Sequence, residues 1–157
     1  LIWELSCHIS NQEIIEFDYT RQDKTVVHRT VKPLTIMFSE YYFYLIAWFA
    51  NDSKDFPAIF RVDRITNIKN LKQKFNIPYR NRFSDGEFRK RVQFMYAGEL
   101  KHIKFEFNGP SVEAILDRIP TAEIIKSDGN KHTIKAECYG DGVLMWLKTQ
   151  GDYVKML

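Results

Sequence analysis

Only two cysteines, Cys7 and Cys138, occur in the 157 residues, near opposite ends of the chain. They form no CxxC and no metal pair, and read as reduced small hydrophobes. That usage points to a reducing compartment, the cytoplasm. No apolar run approaches the roughly 20 residues that span a bilayer, so no membrane partner is expected. The four histidines, His8, His28, His102 and His132, show neither HxxxH nor HxH spacing, which disfavours a metal site. GxSxG, P-loop and GxGxxG motifs are missing. Glu16 and Asp18 share one polar strand face and read as solvated acids rather than a catalytic pair. No catalytic residue, metal or cofactor is therefore expected, and the chain is not read as an enzyme.

What is present is apolar and aromatic. Hydrophobic residues make up 45% and aromatic residues 15% of the chain, enough for packed cores and too much for disorder. The length fits one medium domain or two small ones. The start, Leu1-Ile2-Trp3-Glu4-Leu5, has no basic segment or cleavage pattern of a signal peptide. It also lacks an initiator Met, so a piece of a longer protein is expected. The net charge of +3 hides an asymmetry. Residues 61–91 carry ten Lys or Arg against three acids, an excess of seven, so the remainder carries four net negative charges. A basic middle suggests an anionic partner there, or a solvated charge run from Lys69 to Lys74.

Periodicity divides the chain. Ile2, Leu5 and Ile9 share one face of a short helix that Asn11 can stop. Ile15, Phe17 and Tyr19 alternate with Glu16 and Asp18 as a strand. A long strand over Thr25–Phe38, bent at Pro33, follows the turn Arg21–Lys24. An aromatic strand spans Tyr42–Phe49, and Ala58–Asp63 forms a strand that carries arginine. Ile65–Ile68 can form a last short strand. Residues 69–91, basic and holding Pro78 and Gly86, read as a linker with a short helix at Asp85–Lys90. From Val92 a second unit begins. Ile103, Phe105 and Phe107 alternate. Val112, Ile115, Leu116 and Ile119 form a helical stripe, with Pro110 at the first helical position and Pro120 as the stop. Ala122–Lys126 and Thr133–Cys138 form a hairpin around Asp128-Gly129-Asn130. Asp141 can cap a second helix that Gly151 ends, before a final strand over Tyr153–Leu157. The order β-α-β-β-α-β is the ferredoxin-like signature, and several short strands opened by a helix suggest a small barrel.

Two runs are the most informative: Tyr41–Trp48, almost wholly aromatic and apolar, and Phe60-Arg61-Val62-Asp63-Arg64-Ile65. Arginine cannot lose its charge near neutral pH. A buried or half-buried guanidinium needs an anion from the protein or from a ligand. Asp63 can neutralise only one of the pair, and Arg64 is the one expected to be tied to it or to a carbonyl. That leaves Arg61 as the principal candidate for an anion.

These runs resemble the WYL domain of bacterial transcription regulators. Phe43-Tyr44-Leu45 stands where the family has Trp-Tyr-Leu, with Phe43 in the Trp place. Phe60–Ile65 resembles the family's second motif, Ile15–Tyr19 its first strand, and Val31-Lys32-Pro33-Leu34 the segment before the aromatic strand. Val143–Leu147 and Gly151–Val154 resemble the end of the C-terminal extension that often follows a WYL domain. The resemblance implies an α+β chain: an Sm/SH3-like β-barrel with its N-terminal helix over 1–72, a basic linker over 73–91, and a ferredoxin-like extension over 92–157. It also implies a ligand pocket lined by Lys32, Tyr44, Arg61 and Arg64. Arg offers a planar fork, Lys a point charge, and Tyr a donor or stacking face. Tyr44 reads equally as plain core with a satisfied hydroxyl, and Trp48 is expected in the core.

Two functions follow as expectations. The first is a ligand-sensing regulatory module that binds a nucleotide or oligonucleotide, joined in the family to an N-terminal helix-turn-helix domain that binds DNA. This chain carries no such domain. The second is a barrel that binds single-stranded nucleic acid directly. The resemblance implies a homodimer, with Tyr96, Phe105, Phe107 and Tyr139 as candidate interface residues, although plain core is the reading for the two phenylalanines.

Overall fold

The computed structural model describes residues 1–77 and 84–157. Residues 78–83, including the Pro78 of the expected linker, lie outside the described residues. The chain forms two compact units, Leu1–Phe83 and Ser84–Leu157. Among the described residues it is a mixed α/β protein with four α-helices and two antiparallel sheets. No described helix is long and apolar enough to cross a membrane.

The first unit opens with α1, Ile2–Ser10, stopped at Asn11. Five strands follow: β1 (Glu13–Thr20), β2 (Val26–Ser39), β3 (Tyr42–Phe49), β4 (Ala58–Arg61) and β5 (Ile65–Lys74). Their order in the sheet is β4-β3-β2-β1-β5. β4 and β5 are the two ends of this order, so no closed barrel is present among the described pairings. Alternation places Ile15 and Phe17 of β1, Val31 of β2, Leu45 and Ala47 of β3, and Ala58 and Phe60 of β4 in one core, with Leu5 from α1. Trp48, expected in that core, alternates away from it and is half-buried. The bend at Pro33 appears as a shift in the β2–β3 register between Pro33 and Thr35. Proline has no N–H to give the ladder.

Two boundaries differ from the sequence reading. The arginine strand ends at Arg61, and Val62–Arg64 turn as a 3-10 helix. β5 runs to Lys74, where a linker was expected from residue 69. Asn67 and Lys72 adopt positive φ, 55° and 57°, and the β1–β5 register shifts along the strand. Each bulge adds a residue and breaks the period of two. The apolar residues therefore fall at Ile65, Ile68 and Leu71, a spacing of three that hides the strand's continuation beyond the expected Ile65–Ile68.

The second unit has its own core. Its elements are α2 (Asp85–Lys90), β6 (Leu100–Phe107), α3 (Glu113–Arg118), β7 (Glu123–Asp128), β8 (Lys131–Tyr139), α4 (Gly142–Lys148) and β9 (Val154–Met156). α2 lies where the sequence placed it, with the Ser84 hydroxyl accepting from the Glu87 N–H at 3.3 Å. The sheet order is β7-β8-β6-β9. Phe105 and Phe107 are buried with Ile115, Ile119, Ile134 and Leu147, so neither phenylalanine is an interface residue. Tyr139 packs against Phe88, and Tyr96 is exposed. α3 begins after Val112, so Pro110 precedes the helix and does not occupy its first position. Asp141 stands at the start of α4 but its carboxylate pairs with the Lys101 ammonium and does not cap the helix.

Candidate functional site

Arg61 and Tyr44 meet directly. They are cross-strand partners in β4 and β3, so their side chains leave the same face. The 3-10 turn after Arg61 folds Asp63 back on it. Arg61 Nε and Nη2 donate to the two Asp63 carboxylate oxygens at 3.0 and 2.6 Å. The guanidinium also lies over the Tyr42 ring, 3.6 Å from its centroid. The Arg61 backbone N–H donates to the Tyr19 hydroxyl at 3.1 Å, which holds β1 against the end of β4. Arg61, not the expected Arg64, is therefore the partner of Asp63, because the turn reverses the chain over two residues.

The electrostatics follow from this arrangement. The bond from Arg61 holds the Asp63 carboxyl below its ordinary range, and Asp63 in turn raises the Arg61 guanidinium. Burial pushes the Tyr44 hydroxyl up, opposed by the Arg61 charge. The Arg61 side chain is 23% exposed and Asp63 is 53% exposed. A half-buried cation is thus balanced by a carboxylate that water and solutes reach. Asp63 takes two of the five guanidinium donors. Nη1 has no partner among the described residues.

The other two expected residues stand apart. Arg64 ends the turn, half-buried, with no hydrogen bond or ion pair among the described residues; its charge helps to lower Asp63. Lys32 pairs in register with Trp48 in β3, four residues from Tyr44. At about 3.3 Å per residue that is about 13 Å along the strand. Its ammonium donates to Asp52 Oδ1 at 3.2 Å. The structure therefore brings Tyr44 and Arg61 together, keeps Arg64 within the adjoining turn, and places Lys32 along the strand. Sequence reasoning missed Tyr42 and Tyr19 as partners of Arg61. Tyr42 lies two residues before Tyr44 on the same strand face, which period two makes visible once Tyr44 is singled out.

A second cluster links the strands on the first unit's sheet. His28 in β2 faces Asp18 in β1, with Nδ1 3.0 Å from Asp18 Oδ1 and Nε2 3.1 Å from Glu16 Oε2. Only the imidazolium donates to both carboxylates. Asp18, then Glu16, accordingly raise the His28 pKa. A raised folded-state pKa means that this cross-link stabilises fully below the ordinary histidine range and is lost as pH rises through the raised value. An NMR titration of His28 should show a midpoint above that of an unperturbed histidine. E16Q/D18N should return it toward the ordinary value and remove its share of the pH dependence of unfolding.

The second unit offers a cleft of about 380 Å³ lined by Lys90, Arg91 and Lys135 together with Glu87, Glu123 and Glu137. Its charges are paired: Arg91 with Glu87 and Glu137, and Lys135 with Glu123. The cleft carries no surplus for an anion.

Residues 4–70 match the family described as the WYL domain. Among solved structures, a CRISPR Cas-related protein is similar over 99% of this chain and 46% of its own, at 15% identity and a TM-score of 0.58. Proteasome accessory factor B/C of Arthrobacter aurescens is matched over 97% of this chain and 23% of its own, at 15% identity and a TM-score of 0.47. The chain thus spans less than half of either protein. At that identity the first likeness is one of fold. No curated protein matches the sequence.

Proposed function

We propose that the chain is the sensing part of a bacterial transcription regulator, not an enzyme, and that its Arg61 cluster receives an anionic effector of nucleotide or oligonucleotide type. The observation that carries this reading is the Arg61 guanidinium, half-buried over Tyr42 and balanced only by a solvent-reached carboxylate. A phosphate can replace Asp63 on the same fork, and a base can stack on exposed aromatic rings nearby. Arg64 adds a charge that no described residue neutralises by contact. Lys32 would join only through a longer ligand, since it lies about 13 Å from Tyr44 along the strand, four residues at about 3.3 Å each. DNA would be bound by a helix-turn-helix domain elsewhere in the regulator.

The architecture supports the same assignment. The end strands β4 and β5 of the first sheet are joined by the short 3-10 turn, as in a small Sm-like barrel. The strand order β7-β8-β6-β9 supports a ferredoxin-like extension. Residues 73–91 are read as the basic linker, whose ends overlap β5 to Lys74 and α2 over Asp85–Lys90.

The test is a binding screen of nucleotides, cyclic nucleotides and short single-stranded DNA. Arg61→Ala should weaken the best ligand by about 1–3 kcal/mol, the worth of a charged hydrogen bond. Asp63→Asn removes the competing carboxylate and should tighten binding. Unchanged affinity of every hit on Arg61→Ala would sink the site. Direct binding of single strands is the second reading, favoured by the exposed Lys69, Lys72 and Lys74 along β5. Steep loss of affinity with ionic strength distinguishes it, because backbone contacts release counterions.

A further inference from the structure

In the second unit, Gln93, Phe94, Met95 and Tyr96 make a tight turn in which the Gln93 carbonyl accepts from the Tyr96 N–H at 3.3 Å. Both central residues are left-handed, Phe94 at φ 58° and Met95 at φ 54°. Such a turn takes Asn and Gly by preference, and a bulky residue at positive φ is an outlier. The loop is nevertheless firmly held. Gly98 meets the Gly140 backbone, where a Cβ would lie 2.5 Å from the Gly140 Cα. The Gln93 carboxamide donates to the Arg118 carbonyl, at the end of α3, at 3.0 Å. Strained backbone and close contact thus fix a phenylalanine that is 50% exposed and a tyrosine that is 48% exposed. Neither belongs to the core of its unit. Strain of this kind persists where a position serves something other than the fold.

What the turn holds Phe94 against is a cation. The Arg118 guanidinium carbon lies 5.5 Å from the Phe94 ring centroid and 5.7 Å from the ring centroid of Trp146 in α4. Trp146 is half-buried against the core, so one of the two rings is a fixed wall. Rings within about 6 Å steady a guanidinium but do not neutralise it. Arg61 and Arg91 each hold a carboxylate. The Arg118 guanidinium has no carboxylate or carbonyl acceptor among the described residues.

We propose that Phe94, Arg118 and Trp146 form a docking site for an acidic segment of a partner protein. One carboxylate of that segment takes the Arg118 fork, and an apolar neighbour packs on the Phe94 ring. Charge decides the class of partner. Residues 92–100 hold no Lys or Arg, and residues 110–125 hold only Arg118. A nucleic acid is held through several cations along its backbone. A single arginine between aromatic rings is instead the composition of a protein hot spot. The rigid turn adds to this, because the Phe94 backbone has little freedom left to lose on binding.

The test is selection on the 157-residue chain from two displayed pools of short random peptides, one complete and one without Asp and Glu. Binders should come from the complete pool and carry an acid beside an apolar residue. Arg118→Gln should weaken them by about tenfold or more, with the fold kept, because Gln93 bonds only the Arg118 carbonyl. Phe94→Asn should also weaken them while its unfolding midpoint holds or rises, since Asn accepts the left-handed turn. Arg61→Ala, in the first unit, should leave them unchanged, which separates this site from the nucleotide site. Four results would each overturn the proposal. They are no binder from either pool, binders equally from the acid-free pool, affinity that survives Arg118→Gln, and a midpoint that falls in Phe94→Asn. A sedimentation mass that changes on Arg118→Gln would put a second copy on the site and overturn it too.

Discussion

Phe60→Ala is expected to destabilise the first unit by about 3–5 kcal/mol, the range for removing a buried aromatic side chain. Phe60 is 4% exposed and is the hub of the aromatic core. Its ring meets Phe17 at 5.2 Å, Tyr19 at 5.1 Å and Phe49 at 6.2 Å, each edge to face. Alanine removes all three contacts and leaves a cavity walled by rings that rotate little. A whole small domain is stable by only about 5–15 kcal/mol, so the loss should move the urea midpoint far down. It should also reach the site. Tyr19 loses the ring it packs on, and its hydroxyl holds the Arg61 backbone. Phe60→Leu keeps apolar volume in the cavity and should cost less. The check is urea unfolding followed by tryptophan fluorescence; a change below about 1 kcal/mol would show that the aromatic core is not packed as described.

Gly142→Ala should be the second large effect, roughly 1–3 kcal/mol or more from overpacking. Gly142 opens α4 in the second unit and is buried. A Cβ there would overlap the Gln93 carbonyl oxygen and lie 2.9 Å from its carbon. Both atoms are backbone, so no side-chain rotation relieves the overlap. Gly86 in α2 is the control. Nothing lies within 4 Å of its would-be Cβ, and Gly86→Ala should stabilise by roughly 0.5–1 kcal/mol through helix propensity. Thermal unfolding of the two variants should therefore shift in opposite directions. Equal midpoints for the two would contradict the close approach of the 93–98 loop to the start of α4.

Elements with a clean period were legible in the sequence. Ile15-Phe17-Tyr19 and Ile103-Phe105-Phe107 are β1 and β6, and Gly129, at φ 62°, marks the β7–β8 turn. The start of β5 was read at Ile65–Ile68, but its continuation to Lys74 was hidden because the bulges at Asn67 and Lys72 convert an alternation into a spacing of three. The start of α3 was misplaced because Pro110 fits a first helical position as well as the turn it occupies. The Tyr44–Arg61 pair follows from strand order and could be anticipated from the two motifs. The partner of Arg61 could not. Whether Asp63 meets the arginine two residues before it or the one after it depends on where β4 ends, and strand boundaries are poorly marked by composition. Lys32 with Asp52 is out of reach for the same kind of reason: the pair is set by the loop after β3, 20 residues along the chain.

The reading of this chain as a sensing module rests on Arg61. The most direct measurement is an NMR titration of the Arg61 Nε–H signal, assigned by its loss in Arg61→Lys, with the tightest nucleotide or oligonucleotide from the binding screen. The account predicts that ligand displaces Asp63 from the guanidinium, so that the Arg61 Nε–H shifts with the same midpoint as binding. Saturation by that ligand with the Arg61 Nε–H unmoved, while signals elsewhere shift, would contradict it.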